Sequence, residues 1–232
     1  GFTDEVSDDL TLQVRDLKEL GWGHIDMRTV NGKNVSSLSD NEFDRVYDQL
    51  TENDIEIACL GSSVANWSRS AQDSFELDLT EMKQSVRHMK KARVRFIRIM
   101  SYKLDKPLEL GSDLESVIIE NIKQIVEIAE DHGLICLHEN CETWGGQSCH
   151  HSLRLLEKVN SPALKLVFDT GNPVSMKYIY GPEPYPCQDS YRFFQEVREH
   201  VAYLHIKDAR LENGMVHYTF PGEGSGGVKE IL

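Results

Sequence analysis

The sequence predicts an α/β fold on a parallel sheet: a (β/α)8 barrel lacking its eighth strand at the C-terminus of this chain. Three observations lead there. Apolar strand-like runs alternate with amphipathic helical runs along the whole chain. Polar and charged residues gather at the C-terminal end of each predicted strand, where barrels of this kind carry their chemistry. A doubly wound open sheet shares the alternation, but no GxGxxG or GxxxxGK[ST] follows any strand, so it loses its usual support.

The elements follow in order. GFT at residues 1–3 reads as the end of a first strand. Leu10, Val14, Leu17 and Leu20 recur at helical spacing over 8–21, and Gly21 closes that helix. HIDMRT (24–29) is a strand. Residues 39–54 open with Ser39 and carry Glu42 three positions on, a capping box, and are helical. IEIACLGSS (55–63) is a strand running into a turn, 75–92 a helix and RFIRIMSY (95–102) a strand. A long amphipathic helix spans 113–133 and stops at Gly133; LICLHEN (134–140) is the next strand. A helix over 150–160, the strand LKLVFDTGN (164–172), a helix over 189–200 and the strand VAYLHIKDA (201–209) complete the series. Strand centres thus recur about 30–40 residues apart, the length of a βα unit. Asn213-Gly214, between β-prone residues, signals a hairpin over 210–220 that forms a flap at the barrel mouth.

Composition narrows the function. The 232 residues suit one domain over 1–232, and 40% hydrophobic content supports a sizeable core. No apolar run approaches the ~20 residues of a membrane span, and the N-terminus shows neither a basic nor an apolar signal region. Five cysteines without a CxxC pair fit reduced thiols in a cytoplasmic protein. A net charge of −13 repels phosphate backbones, so nucleic acid is not expected as a partner, and neither is a membrane. The basic run RHMKKARVRF (87–96) reads as the solvated end of a helix. Cys141, Cys149, His150 and His151 lack the paired spacing of a zinc site and read as a loop entering a helix.

Three strand ends stand out: Glu139, Asp169 and His205, on consecutive strands. Neighbouring parallel strands lie about 4.8 Å apart, so these side chains can converge. Two carboxylates and an imidazole form a ligand set for Mn²⁺, Zn²⁺, Co²⁺, Fe²⁺ or Mg²⁺. A cation would also relieve the repulsion of two carboxylates held in a partly dry mouth.

At these residues the chain resembles a known family. HEN (138–140), FDTGN (168–172), YLHIKDA (203–209), PGEG (221–224) and the opening unit over 1–21 look like the xylose-isomerase-like TIM barrels, sugar phosphate isomerases and epimerases. The resemblance implies one divalent ion held by Glu, Asp, His and a second Glu. Glu139, Asp169 and His205 match the first three. The fourth belongs to strand eight, which by extrapolation falls at roughly 235–245, beyond Leu232; Glu223 is a candidate stand-in. Where relatives often carry a His three residues after the Asp, this chain has Asn172, suited to a substrate hydroxyl but not to base catalysis. The implied activity is isomerisation or epimerisation of a sugar or keto-polyol in carbohydrate metabolism. Glu139 would abstract an α-proton, giving an enediolate at the metal. Lys207 would hold an oxyanion or phosphate, His138 and Trp144 would form a sugar-facing wall, and Arg28 would contact substrate. A homo-oligomer is also implied.

Two alternatives share the site: an inosose-type dehydratase, which expels a β-hydroxyl after the same proton abstraction, and a non-catalytic sugar-binding protein. The chain also resembles zinc endonucleases acting at abasic sites, but the extra histidines those need are missing, one of them at Asn172.

Overall fold

The computed structural model describes residues 2–232. In chain order it contains α1 (Leu10–Glu19), β1 (His24–Met27), a small hairpin β2 (Thr29–Val30) and β3 (Lys33–Asn34), α2 (Asp40–Thr51), β4 (Glu56–Gly61), α3 (Phe75–Ala92), β5 (Phe96–Ile99), α4 (Asp113–Glu130), β6 (Ile135–Glu139), α5 (Cys149–Val159), β7 (Leu164–Asp169), α6 (Ser190–Val197), β8 (Val201–His205), a hairpin β9 (Asp208–Glu212) and β10 (Met215–Thr219), and α7 (Val228–Ile231). The expected alternation of strand and helix is present throughout.

Six strands pair in parallel in the order β1-β4-β5-β6-β7-β8 and curl into an incomplete TIM barrel. Ahead of β1, Phe2 makes one parallel bridge to Asp26, and Thr3–Glu5 turn into a 3-10 helix. The expected first strand is therefore reduced to that bridge, with Gly1 outside the described residues. The sheet edges at β1 and β8 meet through side chains: the Tyr203 hydroxyl donates to Asp26 Oδ1 at 2.6 Å.

Strand parity divides the core in two. Cys59, Leu137 and Val167, with Phe96, Ile135 and Tyr203, fill the inside of the curled sheet. Ile25, Ile97, Cys136 and Leu164 face the other way and join the helices in the large outer core, as Leu166 and Phe168 do against Phe193 and Val197 of α6. Each fully buried aliphatic side chain stabilises the fold by roughly 1.5–3 kcal/mol.

Helix starts follow the sequence. Ser39 and Glu42 form the expected capping box, and Asp9, Ser112, Ser148 and Asp189 accept backbone N–H bonds at the N-termini of α1, α4, α5 and α6. The basic run ends α3, with Lys90 and Lys91 in its last turn. The Asn213-Gly214 hairpin forms as expected; both residues have positive φ, 51° and 77°, as a tight two-residue turn requires. Among the described residues, no helix is long and apolar enough to cross a membrane.

Candidate metal centre

Glu139, Asp169 and His205 are the last residues of β6, β7 and β8. Asp169 and His205 are direct register partners, and Glu139 pairs with Val167, two residues before Asp169. Since side chains alternate faces along a strand, Glu139, Val167 and Asp169 all point inward. All three side chains are buried, and one donor atom from each lies within 4.8 Å of the others. Ligand bonds of ~2.0–2.2 Å hold donors somewhat closer than that, within reach of small side-chain rotations.

Local bonding orients each donor. Asp169 Oδ1 accepts from the Gly171 and Asn172 N–H groups at 2.8 and 2.9 Å, which fixes the carboxylate plane. Asn140 ties β6 to β7: its Oδ1 accepts from Asp169 N at 2.6 Å, and its Nδ2 donates to Asp169 O at 3.0 Å. His205 Nδ1 lies 3.3 Å from Glu139 Oε1, and the Phe2 ring packs edge-on against its imidazole, centroids 4.7 Å apart. His205 Nε2 is buried and has no hydrogen-bond partner among the described residues; Asp26 Oδ2 stands 4.0 Å away. Two oriented carboxylates beside a buried imidazole nitrogen lacking a partner fit a divalent cation.

The electrostatics agree with that fit. Burial acts to raise Glu139, but the Arg98 charge and the His205 hydrogen bond outweigh it and hold the carboxyl below its usual range. Arg98 Nη1 donates to Glu139 Oε2 at 3.2 Å, and Nη2 to the Ser62 carbonyl at 3.0 Å. Burial raises Asp169, aided by Glu139 and opposed by Lys207, whose Nζ lies 3.4 Å from Oδ2. A second cation close to both carboxylates would lower the cost of keeping them charged.

A cavity of about 720 Å³, a size suited to a small metabolite, opens at Glu139, while Asp169 and His205 line a neighbouring cavity of about 870 Å³, and Lys207 borders both. Arg28, Asn172 and Lys207 line the first, together with Glu139. His138 and Trp144 do not. Both are fully buried, so the expected sugar-facing wall is corrected at these two positions. Parity explains His138: with Glu139 inward, its neighbour faces the helices, where Nε2 meets Ser101 Oγ at 2.9 Å. Burial holds His138 down to about 4, so it stays neutral. Trp144 lies in the outer core with the His151 ring edge-on, 5.5 Å between centroids.

At the rim, Lys207 turns to Asp169. Asp208 is itself caged: Gly222, Gly224, Gly226 and Ala209 donate backbone N–H bonds to it at 2.8–2.9 Å. A Cβ at Gly224 would sit 2.2 Å from Asp208 Oδ1, so only glycine allows this wrap. Glu223, on the same loop, is exposed and lies outside the cluster.

Sequence reading missed most of the cavity lining, Arg98, Phe2, Trp67 and Lys103 among it. Arg98 carried a readable signal, a charge inside the apolar strand RFIRIM at the inward parity shared with Phe96. Trp67 comes from the loop after β4. That loop is anchored to α3 through Arg69, which pairs with Asp78 and, at 2.7 Å, with Glu81.

A curled parallel sheet with polar and charged residues on the C-terminal ends of its strands defines a TIM barrel. The family model described as xylose isomerase-like TIM barrel matches residues 14–232, and the chain belongs to that family. Solved structures agree on the fold. A xylose isomerase-like TIM barrel protein from Mycobacterium smegmatis in complex with magnesium superposes with a TM-score of 0.74 at 16% identity, over 95% of this chain and 75% of that one. A D-tagatose 3-epimerase-like protein gives 0.71 at 16%, over 97% and 81%. The probable 3-DHS dehydratase of Bacillus anthracis gives 0.64 at 19%, over 86% and 68%. No curated protein sequence matches the chain.

Proposed function

We propose that this protein is a divalent-metal-dependent isomerase or epimerase of a sugar or keto-polyol, acting by α-proton abstraction. The observation that carries the reading is the convergence of Glu139, Asp169 and His205 where two metabolite-sized cavities adjoin, one lined by Glu139 and the other by Asp169 and His205. The similarity to a D-tagatose 3-epimerase-like protein supports it. Glu139, Asp169 and His205 would hold the ion; when bound, it would polarise a ketose carbonyl and acidify the adjacent C–H.

The remaining roles belong to side chains. Glu139 accepts the α-proton. Arg98 and His205 keep it ionised and ready, and they also make it a weak base, so it acts only on an already acidified C–H. Lys207 Nζ, beside Asp169, stabilises the oxyanion that develops. Asn172 and Arg28 orient substrate hydroxyls from the cavity wall. One base suffices to move a proton between neighbouring carbons on one face. Inverting a centre needs a second acid on the opposite face.

Solvent exchange tests this. In deuterated water with Mn²⁺, the protein should place deuterium at the α-carbon of its ketose. Glu139→Gln should reduce that by roughly 10²–10⁴-fold, the usual worth of a positioned base. Retained exchange would dispose of the role. The similarity to a 3-DHS dehydratase favours a second reading, in which the same abstraction is followed by loss of a β-hydroxyl. The ultraviolet absorbance of an unsaturated ketone product separates the two.

A further inference from the structure

The cavity carries a charge opposite to that of the whole molecule. The chain has 38 acidic and 25 basic side chains. Yet Arg28, Arg98, Lys103, Lys106, Lys177 and Lys207 all line this one cavity, against Asp105, Glu139 and Glu142. Two of the cations converge on one ring: the guanidinium carbons of Arg28 and Arg98 lie 4.4 and 5.1 Å from the Phe2 centroid. Arg98 is 97% buried, and its Nε has no hydrogen-bond partner among the described residues. Burying a guanidinium with an idle donor is costly unless something completes its shell.

The partners of the inner cations point the same way. Arg98 pairs with Glu139, and Lys207 with Asp169. Both carboxylates are also the candidate metal ligands. Once those oxygens serve a divalent cation, the two basic groups need another anion. Among the described residues the Lys103 ammonium meets only the exposed Asp105 carboxylate, at 3.7 Å, a contact worth little. Lys177 Nζ contacts Cys187 Sγ at 3.8 Å.

We propose that the substrate of this site is anionic: a ketose or keto-polyol bearing a carboxylate or phosphate group, seated between Arg28, Arg98 and Lys207 and drawn in by the rim lysines. This rests on the metal-site reading above and narrows its substrate class. Planar guanidinium forks suit either oxyanion, and a positive mouth on an acidic protein steers anions to it.

Calorimetric titration of the full chain tests the idea with three probes: D-ribulose 5-phosphate, 2-keto-D-gluconate and uncharged D-ribulose, with Mn²⁺ and with chelator. At least one anionic probe should bind roughly tenfold or more tightly than D-ribulose, the scale of one charge-assisted hydrogen bond, and Mn²⁺ should increase the preference. Which anionic probe wins assigns phosphate or carboxylate. The exposed double variant Lys103→Glu/Lys177→Glu, which leaves the core untouched, should weaken only the anionic probe. Equal binding of D-ribulose, no binding of either anionic probe, or an anionic preference unmoved by the double variant would overturn the proposal. Titrating Mn²⁺ alone judges the metal reading separately: no binding there would sink that reading, whereas bound Mn²⁺ without an anionic preference would sink only this one.

Discussion

At the scale of single residues, the caged carboxylate of Asp208 shows how a loop is specified. Burial would raise its pKa, but the N–H groups of the glycine-rich loop outweigh that and hold it below the usual carboxylate value. A depressed folded-state pKa contributes stability that is present above the unfolded value, about 3.9, and fades as pH falls through the lower one. Asp208→Asn should therefore cost roughly 1–3 kcal/mol near neutral pH. The gap from the parent should narrow as pH falls below the unfolded value and through the lower folded one. Urea midpoints measured across that range read it directly, and a gap independent of pH would refute the assignment. PGEGSGG in the sequence marks a tight loop, but nothing in it names the acid it wraps.

At the scale of elements, the site depends on the ends of β6 and β7 keeping register. Asn140 does this through two bonds to the Asp169 backbone. Asn140→Ala would leave a buried N–H and C=O unpaired and should destabilise the fold by roughly 1–3 kcal/mol. The same variant should bind Mn²⁺ at least several-fold more weakly, because Asp169 loses its fixed direction; lanthanide or Mn²⁺ titration checks this. Strand parity was legible in LICLHEN: once Glu139 is inward, His138 must be outward. Applied to RFIRIM, it also selects Arg98. Trp144 offered no such rule, since it follows a strand rather than lying in one.

At the scale of the whole molecule, the sheet edges are held across the barrel by Tyr203 and Asp26, 177 residues apart in sequence. Tyr203→Phe should lower stability by about 1–2 kcal/mol, the worth of a hydrogen bond to a buried carboxylate. Hydrogen exchange should quicken in β1 and β8 more than in β5 and β6, because only the outer strands lose a tie. Uniform quickening would mean that Tyr203 serves packing alone. The acidic exterior and basic mouth are likewise a property of the assembled molecule. The six basic groups are spread from Arg28 to Lys207, and only the curled sheet gathers them.

The sequence by itself determined the alternation of strand and helix, the parallel order, the helix caps and the placement of Glu139, Asp169 and His205 at three adjacent strand ends. These are local matters of periodicity, turn chemistry and parity, which neighbouring residues impose on one another. Folding in three dimensions settles that Arg98 grips Glu139, that Lys207 turns to Asp169, that Asp208 is wrapped by glycines and that two guanidinium groups meet at the Phe2 ring. Those choices join residues far apart in the chain, and they depend on ångström-scale distances that no pattern along the chain encodes.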